Sequence, residues 1–137
     1  MVIDTRSCIG CGACIAACDL ENDTAWREGK RRTHVPEFFF GEFPNVARMF
    51  IPRLCMHCEN PPCVSVCPTG ASYVNEDGVV LVNHELCIGC KYCIVACPYN
   101  ARYVDHRIRS VDKCTFCFDN RVVKGLEQPA LRLVLAM

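Results

Sequence analysis

No stretch of the 137-residue chain approaches the roughly 18 consecutive apolar residues that a bilayer-crossing helix needs; the longest apolar candidates are Val79 to Val82 and the tail from Leu131 to Met137. Neither sign of charge is in excess. The 15 Lys and Arg balance 15 Asp and Glu, which argues against a nucleic-acid partner, because phosphate binding needs basic residues gathered on one face. The first residues, Met1 to Cys8, lack a basic region followed by an apolar run and a small-residue cleavage site. No signal peptide is expected, and the setting inferred is soluble, reducing and cytoplasmic. Low-complexity tracts and flexible linkers are also missing, so one domain covering residues 1–137 is expected.

What is present is cysteine, at 14 positions. In a reducing compartment such density signals metal binding rather than a disulfide scaffold. The cysteines fall into four groups that repeat one another, spanning 8–18, 55–67, 87–97 and 114–117. The first holds Cys8, Cys11, Cys14 and Cys18, with two, two and three residues between them, and the third repeats that spacing with Cys87, Cys90, Cys93 and Cys97. Group two is stretched in its middle gap and holds Cys55, Cys58, Cys63 and Cys67; group four contains only Cys114 and Cys117. Pro68 and Pro98 follow the last cysteines of groups two and three. After each comes a short helical turn and then a strand, so these two segments are one unit used twice. Residues 73–82 read as a hairpin around Asp77-Gly78. The cysteine-free stretch near residues 19–54 reads as an insertion.

These spacings suit cubane iron–sulfur clusters. A loop with two residues between successive cysteines wraps three iron corners, and Gly10, Gly12 and Gly89 let the backbone approach sulfide closely with positive φ. The fourth cysteine of such a run ligates the neighbouring cluster in two-cluster ferredoxins. Zinc is the competing reading, but zinc knuckles contribute two ligands each, whereas runs of three cysteines plus a fourth recur here. Each oxidised cluster with four thiolates carries about −2, so the loaded chain is expected to be acidic near its clusters.

With these motifs in view, the chain resembles the four-cluster ferredoxin-type electron-transfer subunits of the dimethyl sulfoxide reductase family, the molybdenum or tungsten pterin oxidoreductases. The marks are residues 4–11, Cys58-Glu59-Asn60-Pro61-Pro62-Cys63, Cys67-Pro68-Thr69-Gly70-Ala71, Cys87-Ile88-Gly89-Cys90 and Asp112-Lys113-Cys114-Thr115-Phe116-Cys117. The resemblance implies an α+β fold of two interlocked ferredoxin-like units in pseudo-twofold relation. It implies that Cys55, Cys58, Cys63 and Cys97 hold one [4Fe-4S] cluster, and that Cys67, Cys87, Cys90 and Cys93 hold another. Groups one and four would form the outer pair, giving Cys8, Cys11 and Cys14 to one cluster and Cys18, Cys114 and Cys117 to the last, each one ligand short. Leu131 and Leu135 stand where the family has two further cysteines. A three-iron [3Fe-4S] cluster, a substitute ligand such as Asp19, Asp119 or His106, or terminal residues that differ from the native ones would each account for this.

The function implied is an electron-transfer subunit, not itself an enzyme, that relays single electrons between a catalytic subunit and a redox carrier. That catalytic partner would be a molybdenum or tungsten pterin enzyme such as an aldehyde or formate oxidoreductase, or else a hydrogenase or carbon monoxide dehydrogenase. A free-standing polyferredoxin is the alternative. An enzyme with an open iron is the further one, although no candidate base or pocket residues accompany the cysteines. His34, His57, His84 and His106 share no ligand spacing and read as structural or exposed. Lys30-Arg31-Arg32 reads as a solvated charge run. The aromatic residues Trp26, Phe38, Phe39, Phe40, Phe43 and Phe50 read either as a docking surface or as a cover over clusters.

Overall fold

The computed structural model of the chain describes residues 3–130. Helix α1 (Ala13–Asn22) is the longest helix among them, and short elements make up the remainder. After a 3-10 turn at Trp26–Glu28 come strands β1 (Glu37–Glu42) and β2 (Asn45–Phe50), then α2 (Pro62–Ser65), β3 (Ser72–Val74), β4 (Val80–Val82), α3 (Tyr92–Val95), β5 (Arg102–Asp105) and β6 (Ser110–Lys113). Each sheet is a two-stranded antiparallel hairpin: β1 with β2, β3 with β4, and β5 with β6. No helix among the described residues is long and apolar enough to cross a membrane. Short helices with small separate hairpins are compatible with the α+β class.

The internal repeat is visible in the backbone. Both α2-β3-β4 and α3-β5-β6 run from a cysteine loop through a four-residue helix into a hairpin. Their helices pack on each other, and each packs on the first strand of its own hairpin. Matching residues meet in the core. Cys63 and Cys93 are the third cysteines of their groups, and Val80 and Val111 pair with Val74 and Val104 at equivalent register positions; all four are buried together, with Val64, Cys87 and Ile94 against them. The Asp77-Gly78 hairpin forms as expected, with Gly78 at φ 77°.

Two local expectations change. The helical turns lie before the final cysteine of groups two and three, at α2 and α3. Each is succeeded by a hydrogen-bonded turn, in which Gly70 N–H donates to Cys67 O and Asn100 N–H to Cys97 O, both at 3.3 Å. The reason is proline: the residue before Pro is kept out of the α region, so Cys67 and Cys97 end the helices. The boundary of the insertion also moves, because Asp19 to Asn22 complete α1, which begins inside the first cysteine group.

Helix α1 is tied to the segment after Cys117. Arg121 Nη2 reaches Glu21 Oε2 at 2.6 Å and Asn120 Nδ2 donates to Glu21 O at 3.2 Å. The β1–β2 hairpin stands outside this body, exposed along nearly its full length. Phe50 at its end lies against Gly10, where an added Cβ would collide with the ring.

Gly10→Ala should therefore lower the unfolding temperature and loosen the first cysteine loop. A φ of 72° costs an alanine about 1–2 kcal/mol, and Phe50 must also move; thermal unfolding under anaerobic conditions measures the change. A second test concerns the β5–β6 turn. Asp105, 2% exposed, accepts Arg107 N–H at 2.9 Å, Nε at 3.1 Å and Nη2 at 2.8 Å. The Arg107 side chain, and then its backbone N–H, hold the Asp105 carboxyl below its ordinary value against the effect of burial. Its contribution is thus present above the unfolded-state value of about 4 and is lost as pH falls through the lower folded-state value. Asp105→Asn should lower the unfolding temperature at neutral pH and weaken its dependence on pH below about 4.

Candidate metal centres

Each Cys-x-x-Cys turn is built the same way. The residue before its second cysteine is left-handed: Gly10 at φ 72°, His57 at 45°, Gly89 at 68° and Phe116 at 55°. That conformation curls the chain so that both thiols face inward. The glycines are legible in sequence; His57 and Phe116 hold the same conformation with a side chain attached, and only alignment of the four turns as one repeat would have singled them out. Strain of this kind persists where the surroundings enforce it. The enforcing contact is mutual, since the His57 and Phe116 rings stack with centroids 3.8 Å apart. His57 Nδ1 also accepts the Val80 N–H at 3.0 Å. Burial first, then the charges of Lys113 and Arg102, push the imidazole down to about 3, so it is a neutral, structural ring.

Four thiols surround each of two inner cavities. Cys55, Cys58, Cys63 and Cys97 line one, walled by Met56, Pro62, Val80 and Pro98. Cys67, Cys87, Cys90 and Cys93 line the other, walled by Ala71, Val82, Ile88 and Val111. In both, the last cysteine of one group has joined the first three of the other. No three His, Cys, Asp or Glu side chains among the described residues converge tightly enough to hold a single metal ion.

The electrostatics differ among the thiols of the inner sets, raising Cys63 and Cys93 and lowering Cys67 and Cys87. Burial pushes the Cys63 and Cys93 thiols up, and the Arg102 guanidinium opposes it at both. At Cys87 burial is outweighed by the Ser110 hydroxyl and the Val111 N–H, which leave the thiol below its ordinary value. Cys67 behaves likewise: burial is outweighed by hydrogen bonds, led by the Ser72 N–H at 3.4 Å.

The outer cysteines gather in threes. Asn22 Nδ2 lies 3.7 Å from Cys18 Sγ and 3.5 Å from Cys117 Sγ. Cys114 is close enough to feel the charge of Cys18, and burial pushes its thiol up to about 12. Cys14 is raised by burial and next by the neighbouring Cys11 and Cys8. Among the proposed substitute ligands, Asp19 accepts Thr24 Oγ1 at 2.5 Å and pairs with Arg31 at 3.2 Å. His106 lines a basic groove with Arg31, His34 and Arg53, and Asp119 is exposed. Leu131 and Leu135 lie outside the described residues.

Two further expectations are resolved by placement. Arg32 is not solvated: it holds Asp112 with Nε at 2.8 Å and Nη2 at 2.9 Å, and also reaches Asn22 and Thr115. Sequence reasoning missed this because its carboxylate partner is 80 positions away. The aromatic residues divide, with Phe39 and Phe43 strongly exposed on the hairpin and Phe50 against the first cysteine loop.

Two family profiles, each described as a 4Fe-4S dicluster domain, match residues 46–134 and 7–71. The B subunit of the tetrathionate reductase of Salmonella typhimurium is 46% identical over 92% of this chain and 50% of its own length. The corresponding B polypeptide of the polysulfide reductase of Wolinella succinogenes is 49% identical over 95% of this chain and 68% of its own. The thiosulfate reductase electron transfer subunit PhsB of Salmonella typhi is 46% identical, over 95% and 67%. The chain thus spans between half and about two thirds of the length of these relatives. Four repeated cysteine turns, two complete four-thiol cavities and matches across both halves agree, and the chain belongs to the 4Fe-4S dicluster domain family.

Proposed function

We propose that this chain is an electron-transfer iron–sulfur subunit, relaying single electrons between the catalytic subunit of a reductase complex and a redox carrier. The observation that carries the reading is the convergence of two complete cysteine sets, each drawn from two groups, on separate cavities with mainly apolar walls. Cys55, Cys58, Cys63 and Cys97 would hold one [4Fe-4S] cluster, and Cys67, Cys87, Cys90 and Cys93 a second. Such a cluster supplies a one-electron couple.

Buried charge supports the fit. Arg102 is 3% exposed and Lys113 is fully buried, yet among the described residues no carboxylate pairs with either. Lys113 Nζ donates to Val80 O and Cys114 O. Uncompensated buried cations are costly by several kcal/mol each; anionic thiolate sites beside them remove that cost.

The residues also order the sites. Cys63 and Cys93 pack side by side in the core between the inner cavities. Cys114 feels the charge of Cys55, which supports an order in which the 18/114/117 trio neighbours the 55/58/63/97 set. Cys14 and Cys18 lie one turn apart on α1, which brings the 8/11/14 trio next. Cys90 and Cys11, the two exposed cysteines, belong to the sites at opposite ends of this series, where exchange with partners requires access.

The relatives are named as B components of reductases and as an electron transfer subunit, which supports a reductase catalytic subunit as partner. The family resemblance adds that this partner carries molybdenum or tungsten pterin. The exposed Phe39 and Phe43 of the β1–β2 hairpin provide apolar surface for such attachment. Co-purification in fixed ratio with a catalytic subunit is expected; isolation of the chain alone from its native source would favour the shuttling polyferredoxin.

Iron and acid-labile sulfide on anaerobically purified protein should reach at least about eight irons per chain, four per cubane. About sixteen would mean that the outer trios each gain a fourth ligand, whereas a three-iron paramagnetic signal in the oxidised state would mean that a trio works alone. Fewer than about eight overturns the two inner sites. Cys58→Ser should perturb or remove one cubane signal and leave the 67/87/90/93 site loaded. Chelating the iron should abolish the cooperative thermal transition, because metal-binding free energy is here also folding free energy.

A further inference from the structure

Arg102 and Ser72 occupy matching positions in the two repeats, each nine residues after the third cysteine of its group and each opening the first strand of its hairpin. They touch one another. Arg102 Nη1 donates to Ser72 Oγ at 2.8 Å, and Nη2 donates to Cys63 Sγ at 2.9 Å. One position of the pseudo-symmetric pair is neutral and the other is a permanent cation, since a guanidinium does not lose its proton in proteins. The asymmetry therefore sits at the contact between the two inner cysteine sets.

We propose that Arg102 sets the step in reduction potential between the two inner sites, making the site at Cys55, Cys58, Cys63 and Cys97 the more easily reduced. The inference rests on the iron–sulfur reading of those sites. Gaining one electron makes a thiolate-held cluster more negative by one charge, and a nearby buried cation stabilises the reduced state more than the oxidised one. The guanidinium hydrogen-bonds Cys63, a member of the first set. Arg102 also acts on Cys93 of the second set, by charge and by a weaker side-chain hydrogen bond, but its close contact is the 2.9 Å bond to Cys63, and the donors at other thiols of the second set are neutral: the Ser72 N–H to Cys67, and the Ser110 hydroxyl and Val111 N–H at Cys87. Charge-assisted hydrogen bonds are about twice as strong as neutral ones, so the two sites are held at different potentials by one side chain. Lys113 adds charge near Cys55 and Cys63 on the same side, but its ammonium is hydrogen-bonded to the carbonyls of Val80 and Cys114 and not to sulfur.

The test is a redox titration followed by paramagnetic resonance on the anaerobically purified full chain, the relevant signal being the one that Cys58→Ser alters. Arg102→Gln should lower the reduced-to-oxidised ratio at that site about tenfold at fixed potential, equivalent to about 59 mV for a one-electron couple, and shift the other inner site less. Arg102→Lys should recover most of the loss. An unchanged titration with full iron content, or equal shifts at both sites, overturns the proposal. Should the Gln variant take up too little iron, Ser72→Ala frees the other end of the guanidinium and is read in the same way: a smaller fall at the same site is expected, and no change overturns the proposal. Iron below two cubanes in the unaltered chain removes the sites themselves, and that failure shows in the iron count before any potential is read.

Discussion

Burying Cys63 and Cys93 in one cluster with Val80 and Val111 joins the two inner cysteine sets at a shared core. In an ordinary small domain these central positions would be filled by large aliphatic side chains, and their burial would supply most of the stability. Here the central side chains are small and half of them end in sulfur. The helices α2 and α3 are only four residues long, too short to be stable in isolation; their packing on each other and on their hairpins holds them. This explains how β3–β4 and β5–β6 can persist as separate two-stranded hairpins, each of which would be marginal alone. The cavities lie along the seam of the repeat, so the elements around a site and the elements of the core are the same.

That arrangement forces an electrostatic solution. Thiols near an apolar core resist ionisation, as the raised Cys63, Cys93 and Cys114 show. Cations also resist burial, so placing Arg102 and Lys113 beside these sulfurs lets each offset the other's desolvation. A third cation, Arg32, is used in a different way. It is matched by Asp112, whose second contact is the Tyr103 hydroxyl at 2.5 Å, and this buried network fixes the segment after the 3-10 turn onto β5 and β6. Among the described residues, Arg102 and Lys113 lie beside thiols without a carboxylate partner, while Arg32 has one in Asp112.

The outer half of the chain is built with less repetition. Helix α1 carries Cys14 and Cys18 and is held to the region after Cys117 by Glu21 and Asn22 rather than by a shared apolar core. The β1–β2 hairpin contributes little to the interior, its apolar residues facing solvent apart from Phe50. An exposed aromatic hairpin next to the first cysteine loop fits the proposed attachment to a catalytic subunit.

Cysteine spacing, together with the family resemblance it supports, led to the expectation that groups two and three share two sets of four thiols, and the structure brings those eight thiols to two cavities, because loop length is a local property of the chain. The Asp77-Gly78 hairpin is legible for the same reason, whereas the four-residue helices fall before Cys67-Pro68 and Cys97-Pro98 and not after them, because the residue preceding proline is kept out of the α region. Tertiary structure decided what depends on distant partners. Arg32 reads as one residue of a solvated basic run until Asp112 is brought to it, and His57 reads as an incidental histidine until Phe116 stacks on it. Arg102 looks like an ordinary strand residue until tertiary packing sets it against Ser72 and Cys63. Sequence determined which atoms could bind; the packing of two repeats against each other determined where charge lies between them, because that depends on contacts tens of residues apart.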